Sequence, residues 1–104
     1  MNEYAKGILE LSKESITEYV TASRCLTSKP CFLLQVIVDP TDAGAVTQNY
    51  LINGETSAME ILVGLASQYT HTTHIGHFPV YFNKGLYVEK GANTDALTVQ
   101  YLIA

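Results

Sequence analysis

The chain has 104 residues, a formal charge of −4, 47% hydrophobic residues and 15% charged ones, a length suited to one domain over residues 1–104 with one core. A charged fraction below the roughly 25% of ordinary soluble domains predicts an uncharged surface suited to protein contact, since few ions need desolvating when such faces meet. The six cations (Lys6, Lys13, Arg24, Lys29, Lys84 and Lys90) are scattered, which argues against direct binding of nucleic acid.

The start, Met1-Asn2-Glu3-Tyr4, lacks the positive flank and apolar run of an export signal, and no apolar stretch reaches the ~18 residues of a membrane span. The expectation is a chain made in the cytoplasm, with no membrane contact. Residues 1–20 read two ways: Tyr4, Ile8 and Leu11 stripe a short helix, whereas Ile16 to Val20 is β-branched enough for a strand. An N-terminal helix, or an arm or edge strand that reaches a neighbour, fits either pattern. Cys25 and Cys31 lie around Pro30, and one pair makes no disulfide framework, so two buried thiols are expected.

Cys31 to Val38 is nearly apolar on both faces, which predicts a central strand buried from both sides and stopped by Asp39-Pro40. Val46 to Ile52 carries Thr, Val and Tyr and ends in Asn53-Gly54, a strong signal for a tight hairpin turn. The segment that follows carries conflicting patterns. Ser57-Ala58-Met59-Glu60 has the form of a capping box, with Met59, Leu62, Val63 and Ala66 on one helical face. Met59, Ile61, Val63 and Leu65 also alternate as a strand. The Asn-Gly turn and the helix-weakening Gly64 favour the strand.

Toward the C-terminus, Phe78, Val80 and Phe82 alternate with Pro79, Tyr81 and Asn83, and Asn83-Lys84-Gly85 leads into Leu86-Tyr87-Val88. Gly85 in a left-handed conformation would close a short hairpin there. A loop from Lys90 to Asp95 then joins the last strand, in which Leu97, Val99, Tyr101 and Ile103 alternate with Thr98, Gln100 and Leu102. Short strands without βα alternation predict an all-β fold: an antiparallel two-sheet sandwich, jelly-roll or immunoglobulin-like.

Candidate chemistry is sparse. His71, His74 and His77 are all the histidines of the chain and could offer imidazole to a metal. On a strand His71 and His77 share a face and His74 points away, so a threefold subunit contact would be needed to supply three ligands from one position. A polar loop is the plainer reading. A cupin-like metal enzyme would draw its ligands from at least two strands, and these three sit in one segment. Neither Gly-x-Ser-x-Gly nor a Cys in a catalytic signature is present. Asp39 and Asp42 flank a Pro-Thr turn without calcium-loop spacing. No enzyme activity and no cofactor are expected. Among seven tyrosines, Tyr81, Tyr87 and Tyr101 are the candidates for a protein-contact face, with Tyr81 and Tyr87 near neighbours if the Gly85 turn is a hairpin.

Phe78-Pro79-Val80-Tyr81-Phe82-Asn83-Lys84-Gly85-Leu86-Tyr87-Val88, followed by Leu97-Thr98-Val99-Gln100-Tyr101, resembles a group of small β-sandwich proteins encoded among the virion genes of tailed bacteriophages. The likeness extends loosely back to Cys31 and Asn53-Gly54, while the histidines and residues 1–25 lie outside it. It implies a non-enzymatic virion component made in the host cytoplasm, typically a capsid decoration (cement) or fibre-type subunit. Implied partners are other copies of itself, often as a homotrimer, and the major capsid protein or another virion protein. The alternative is a small sandwich that binds a carbohydrate or receptor through tyrosines and the loops at Asn53-Gly54 and Lys90 to Asp95.

Overall fold

The computed structural model describes residues 14–40, 47–67, 73–75 and 79–104, together with Glu3. Glu3 and Glu14 are helical, and the strands are β1 (Ile16–Val20), β2 (Arg24–Thr27), β3 (Cys31–Pro40), β4 (Thr47–Asn53), β5 (Glu60–Ser67), β6 (Thr73–Ile75), β7 (Val80–Phe82), β8 (Leu86–Glu89) and β9 (Thr94–Ile103). The expected helical stripe at Tyr4, Ile8 and Leu11 lies outside the described residues, as does Val46, whereas Ile16–Val20 is a strand. After the turn at Ser57 and Ala58, Glu60–Ser67 is also a strand, which decides the helix–strand conflict there.

Two antiparallel sheets pack face to face. One has the order β1-β9-β3-β6, with β7 also on β3, and the other the order β2-β8-β4-β5. β6 pairs with Val36 to Val38 and β7 with Cys31 to Leu33, so these two short strands share one lane beside β3. Each sheet therefore has four lanes.

The pairings are nested: β1 with β9, β2 with β8, β3 with β6 and β7, and β4 with β5. A long antiparallel hairpin rolled around a barrel gives this nesting, and the rolled-up contacts are β9 with β3 and β8 with β4. The sandwich is thus a jelly roll rather than an immunoglobulin-like one.

Nesting also overturns one reading of the turns. β7 lies in the first sheet and β8 in the second, so residues 83–85 cross between sheets instead of closing a hairpin. Gly85 does take a positive φ of 115°. The Asn53-Gly54 signal correctly precedes an antiparallel partner, but through a six-residue loop over 54–59 rather than a two-residue turn. β3 runs on through Asp39 and Pro40, with a register shift between them that accommodates the proline.

The core lies between the sheets. Val20, Leu97 and Val38 form one inward rung across β1, β9 and β3, and Tyr101 and Leu33 form another, with Ile16 at its exposed end. In β3 the buried residues are Cys31, Leu33, Val36 and Val38, a pattern that skips phase at Leu34 because a bulge between Leu33 and Gln35 inserts one residue. Leu51, Leu65, Phe82, Leu86 and Val88 fill the space from other strands.

Crossings are tied down by specific bonds. Asn53 donates from Nδ2 to Asn83 Oδ1 at 2.7 Å and accepts the Lys84 N–H at 2.9 Å, while Gly54 N–H donates to the Gly85 carbonyl at 3.2 Å. The end of β4 thereby clasps the 83–85 crossing.

Candidate protein-contact surface

Tyr101 belongs to the core. It is 3% exposed, and its hydroxyl donates its one proton to Glu18 Oε2 at 2.5 Å, with the Leu26 carbonyl 3.4 Å away. Glu18 in turn accepts from Arg24 at 3.2 Å, so β1, β2 and β9 meet in one network that ties the two sheets together. The expectation that Tyr101 offers surface for a partner is corrected: the alternation that makes Leu97 and Val99 core residues turns Tyr101 inward with them.

Burial, then the Glu18 bond, hold the Tyr101 phenol well above the usual tyrosine range, and burial pushes the Cys31 thiol up to about 11. Folded values above unfolded ones favour the protonated forms, so this stabilisation is complete below pH 9 and is lost as pH rises. Urea midpoints should fall between pH 8 and pH 10.5. Tyr101→Phe should cost about 1–2 kcal/mol at pH 8 and flatten that alkaline decline; an unchanged pH slope in this variant would refute the assignment.

Tyr81 and Tyr87 do not share a face. Tyr81, 50% exposed on β7, stands on the outside of the first sheet, whereas half-buried Tyr87 on β8 stands on the outside of the second, opposite Ile52. The proposed pairing of the two fails because the chain changes sheets at Gly85.

Around Tyr81 a surface does assemble. Its ring lies 4.9 Å from that of Phe32, tilted by 33°, and Phe32 sits between Tyr81 and Leu102 in the register. Phe32, Leu34, Pro79 and Leu102 line a cleft of about 270 Å³, an entirely apolar set of side chains. The β3 bulge makes this possible, because the extra residue leaves both Leu34 and Gln35 outside.

Outward residues extend the surface across the sheet: Thr17, Gln100 and Gln35 form the next rung, and Tyr19, Thr98 and Ile37 the one beyond. No acidic or basic side chain stands in these two rungs, and Asp39, the next outward residue of β3, lies beyond them opposite Ala96. Tyr19 is 62% exposed. The expectation that β3 is buried from both sides is corrected too: Phe32, Leu34 and Ile37 are only half-buried, and their apolar character belongs to an outer face.

Sequence reasoning missed Phe32, Leu34, Pro79 and Leu102. The signal was available in the doubly apolar run of β3, which an uncovered apolar face explains as well as a covered one.

His74 occupies β6, opposite Ile37, while His71 and His77 lie outside the described residues. The three-histidine metal reading therefore also lies outside them, and among the described residues no group of three His, Cys, Asp or Glu side chains is placed to hold a metal ion. Cys25 and Cys31 are free thiols, the first partly and the second fully buried. Burial raises both, with Glu55 adding to the rise at Cys25, so neither is a thiolate at neutral pH. Compared with known proteins, the chain matches no family model, no curated protein and no solved structure.

Proposed function

We propose that the chain is a non-enzymatic structural protein of a bacteriophage particle, a decoration or cement subunit that adheres to a capsid or other virion protein. The outer face of the first sheet is the adhering surface. One observation carries this reading: the Phe32, Leu34, Pro79, Tyr81 and Leu102 patch, continued by two uncharged rungs, offers partly exposed apolar area where few ions need desolvating. The sequence resemblance supplies the virion context. A flat sheet face also suits a protein shell better than a sugar, which calls for convergent polar groups.

Co-sedimentation tests it, using purified chain and shells assembled from the major capsid protein encoded near its gene. Saturable binding is expected, with Tyr81→Ala weakening it about tenfold and Leu102→Asp abolishing it while circular dichroism confirms the fold. Absence of binding to these shells, together with a specific hit on a glycan array, would replace this reading by the ligand-binding alternative.

A further inference from the structure

Asparagine followed by glycine is among the least durable pairs in a polypeptide, because the side-chain amide can close on the next backbone nitrogen and glycine has no side chain to hinder the ring. In this fold both members of Asn53-Gly54 are structural. Asn53 is 7% exposed, and both ends of its amide are engaged: Nδ2 donates to Asn83 Oδ1 at 2.7 Å and Oδ1 accepts the Lys84 N–H at 2.9 Å. Gly54 is buried, with Met59 standing where a side chain would otherwise project. The Gly54 nitrogen, the nucleophile in such a ring closure, donates to the Gly85 carbonyl at 3.2 Å. Electrophile and nucleophile are thus held by separate groups of the 83–85 crossing. Pairing of Asn53 with Leu86 on one side and Glu60 on the other fixes the backbone between them.

We propose that Asn53-Gly54 is a latent modification site, shielded while the clasp is closed and open to spontaneous deamidation whenever the 83–85 crossing lifts. The Gly54 nitrogen gives its proton to a solvent base and bonds to Asn53 Cγ; the Cγ–Nδ2 bond breaks and Nδ2 leaves as ammonia. Water then opens the resulting five-membered imide at one of its two carbonyls, leaving aspartate or, with the main chain rerouted through Cγ, isoaspartate. No oxidant or reductant takes part. Neither product rebuilds the clasp. Aspartate has no proton for Asn83 Oδ1 and puts a charge at a buried position, and isoaspartate adds a methylene to the backbone where Asn53 pairs with Leu86 and Glu60. The step therefore runs one way: a copy that reacts while open is marked and destabilised, which limits how long an unsettled chain stays competent. The inference is independent of the particle reading, since it uses the end of β4 and the crossing beside it rather than the outer face of the first sheet.

The test follows Asn53 by peptide mass mapping of the full chain incubated at mildly alkaline pH, folded in buffer or unfolded in guanidinium chloride. The readout is the gain in mass when amide becomes acid, with isoaspartyl methyltransferase counting the rerouted product. The unfolded chain should react at least about a hundredfold faster than the folded one, and below the denaturation midpoint the rate should follow the open fraction. Asn83→Ala removes the acceptor of Asn53 Nδ2 and should speed the folded-state reaction about fivefold. Asn83→Asp keeps an acceptor and should not, with circular dichroism to verify both folds. Asn53→Asp, made directly, should have a lower denaturation midpoint than the wild type. Equal rates in folded and unfolded chain overturn the proposal, as do a folded Asn83→Ala chain that reacts no faster than Asn83→Asp and an Asn53→Asp chain with an unchanged midpoint. Should Asn83→Ala fail to fold, the denaturant series on the wild type decides.

Discussion

Replacing Gly85 by alanine is expected to lower the unfolding free energy by about 3 kcal/mol, read as a shift of the urea midpoint at constant slope. Two effects add. The φ of 115° is a conformation that residues with a Cβ rarely adopt, and the added methyl would sit 2.6 Å from the Thr27 carbonyl oxygen and 3.2 Å from the Ser28 Cα. Both obstacles are backbone atoms, at the end of β2 and just after it, so no side chain can swing aside. Moving them would disturb the bond from Gly54 N–H to the Gly85 carbonyl and the Asn53 clasp beside it. A loss below about 1 kcal/mol would mean that the crossing relaxes freely, and that its tight fit to the β2–β3 connection is not needed.

Asn49→Leu is the second large effect, at about 2–3 kcal/mol. Asn49 is fully buried on β4; its Nδ2 donates to the Leu65 carbonyl at 3.1 Å and its Oδ1 accepts the Gly91 N–H at 2.8 Å. One side chain thus joins the innermost hairpin to the crossing between β8 and β9. Leucine keeps the branched shape but its methyl groups are bulkier, so some overpacking adds to the cost of the stranded polar groups, above all the Gly91 N–H. Asn49→Asp should be worse than leucine at neutral pH, because a carboxylate oxygen would then face the Leu65 carbonyl. An Asn49→Asp variant as stable as the wild type in urea titrations at neutral pH would show that the bond to Leu65 contributes nothing.

Asn49 also marks where sequence reading loses its grip. Alternation made the strands legible: Leu97, Val99 and Tyr101 repeat every second residue because one side of β9 is buried and the other is not. The same regularity turns Tyr101 inward with Leu97 and Val99, which rules it out as a contact residue. The antiparallel partnership of β4 and β5 was legible in Asn53-Gly54, although the loop length was not.

Topology was hidden for a physical reason. Asn83-Lys84-Gly85 and Gly91-Ala92-Asn93 have the chemistry of hairpin turns, yet both connections cross between sheets. Glycine and asparagine relieve local backbone strain whichever way the chain leaves, and the direction is decided by where the next apolar residues find their core. Phe82 and Leu86 are both fully buried, and they reach the same interior from opposite sheets. The outer patch was obscured in the same manner. Periodicity counts apolar residues on a face but is blind to whether anything covers that face, so Phe32 and Leu34 read as core. Asn49 was invisible because a polar residue inside a strand resembles one on its solvent side until its partners, 16 and 42 positions away, are known.

The nested pairing of strands sets an order for building the molecule. The innermost hairpin, β4 with β5, closes across a loop of six residues, whereas β1 must wait for Leu97 to Tyr101 before its register exists. During synthesis β1 emerges well before β9 and is consequently among the last of these strands to be paired, and each layer closes outside the one before it. Closing such long chain loops costs entropy before any contact repays it, which places this fold among the slow folders. A chain with so few charges spends that interval with its strands unpaired, and high expression temperature should divert it toward aggregates more than it harms the finished protein.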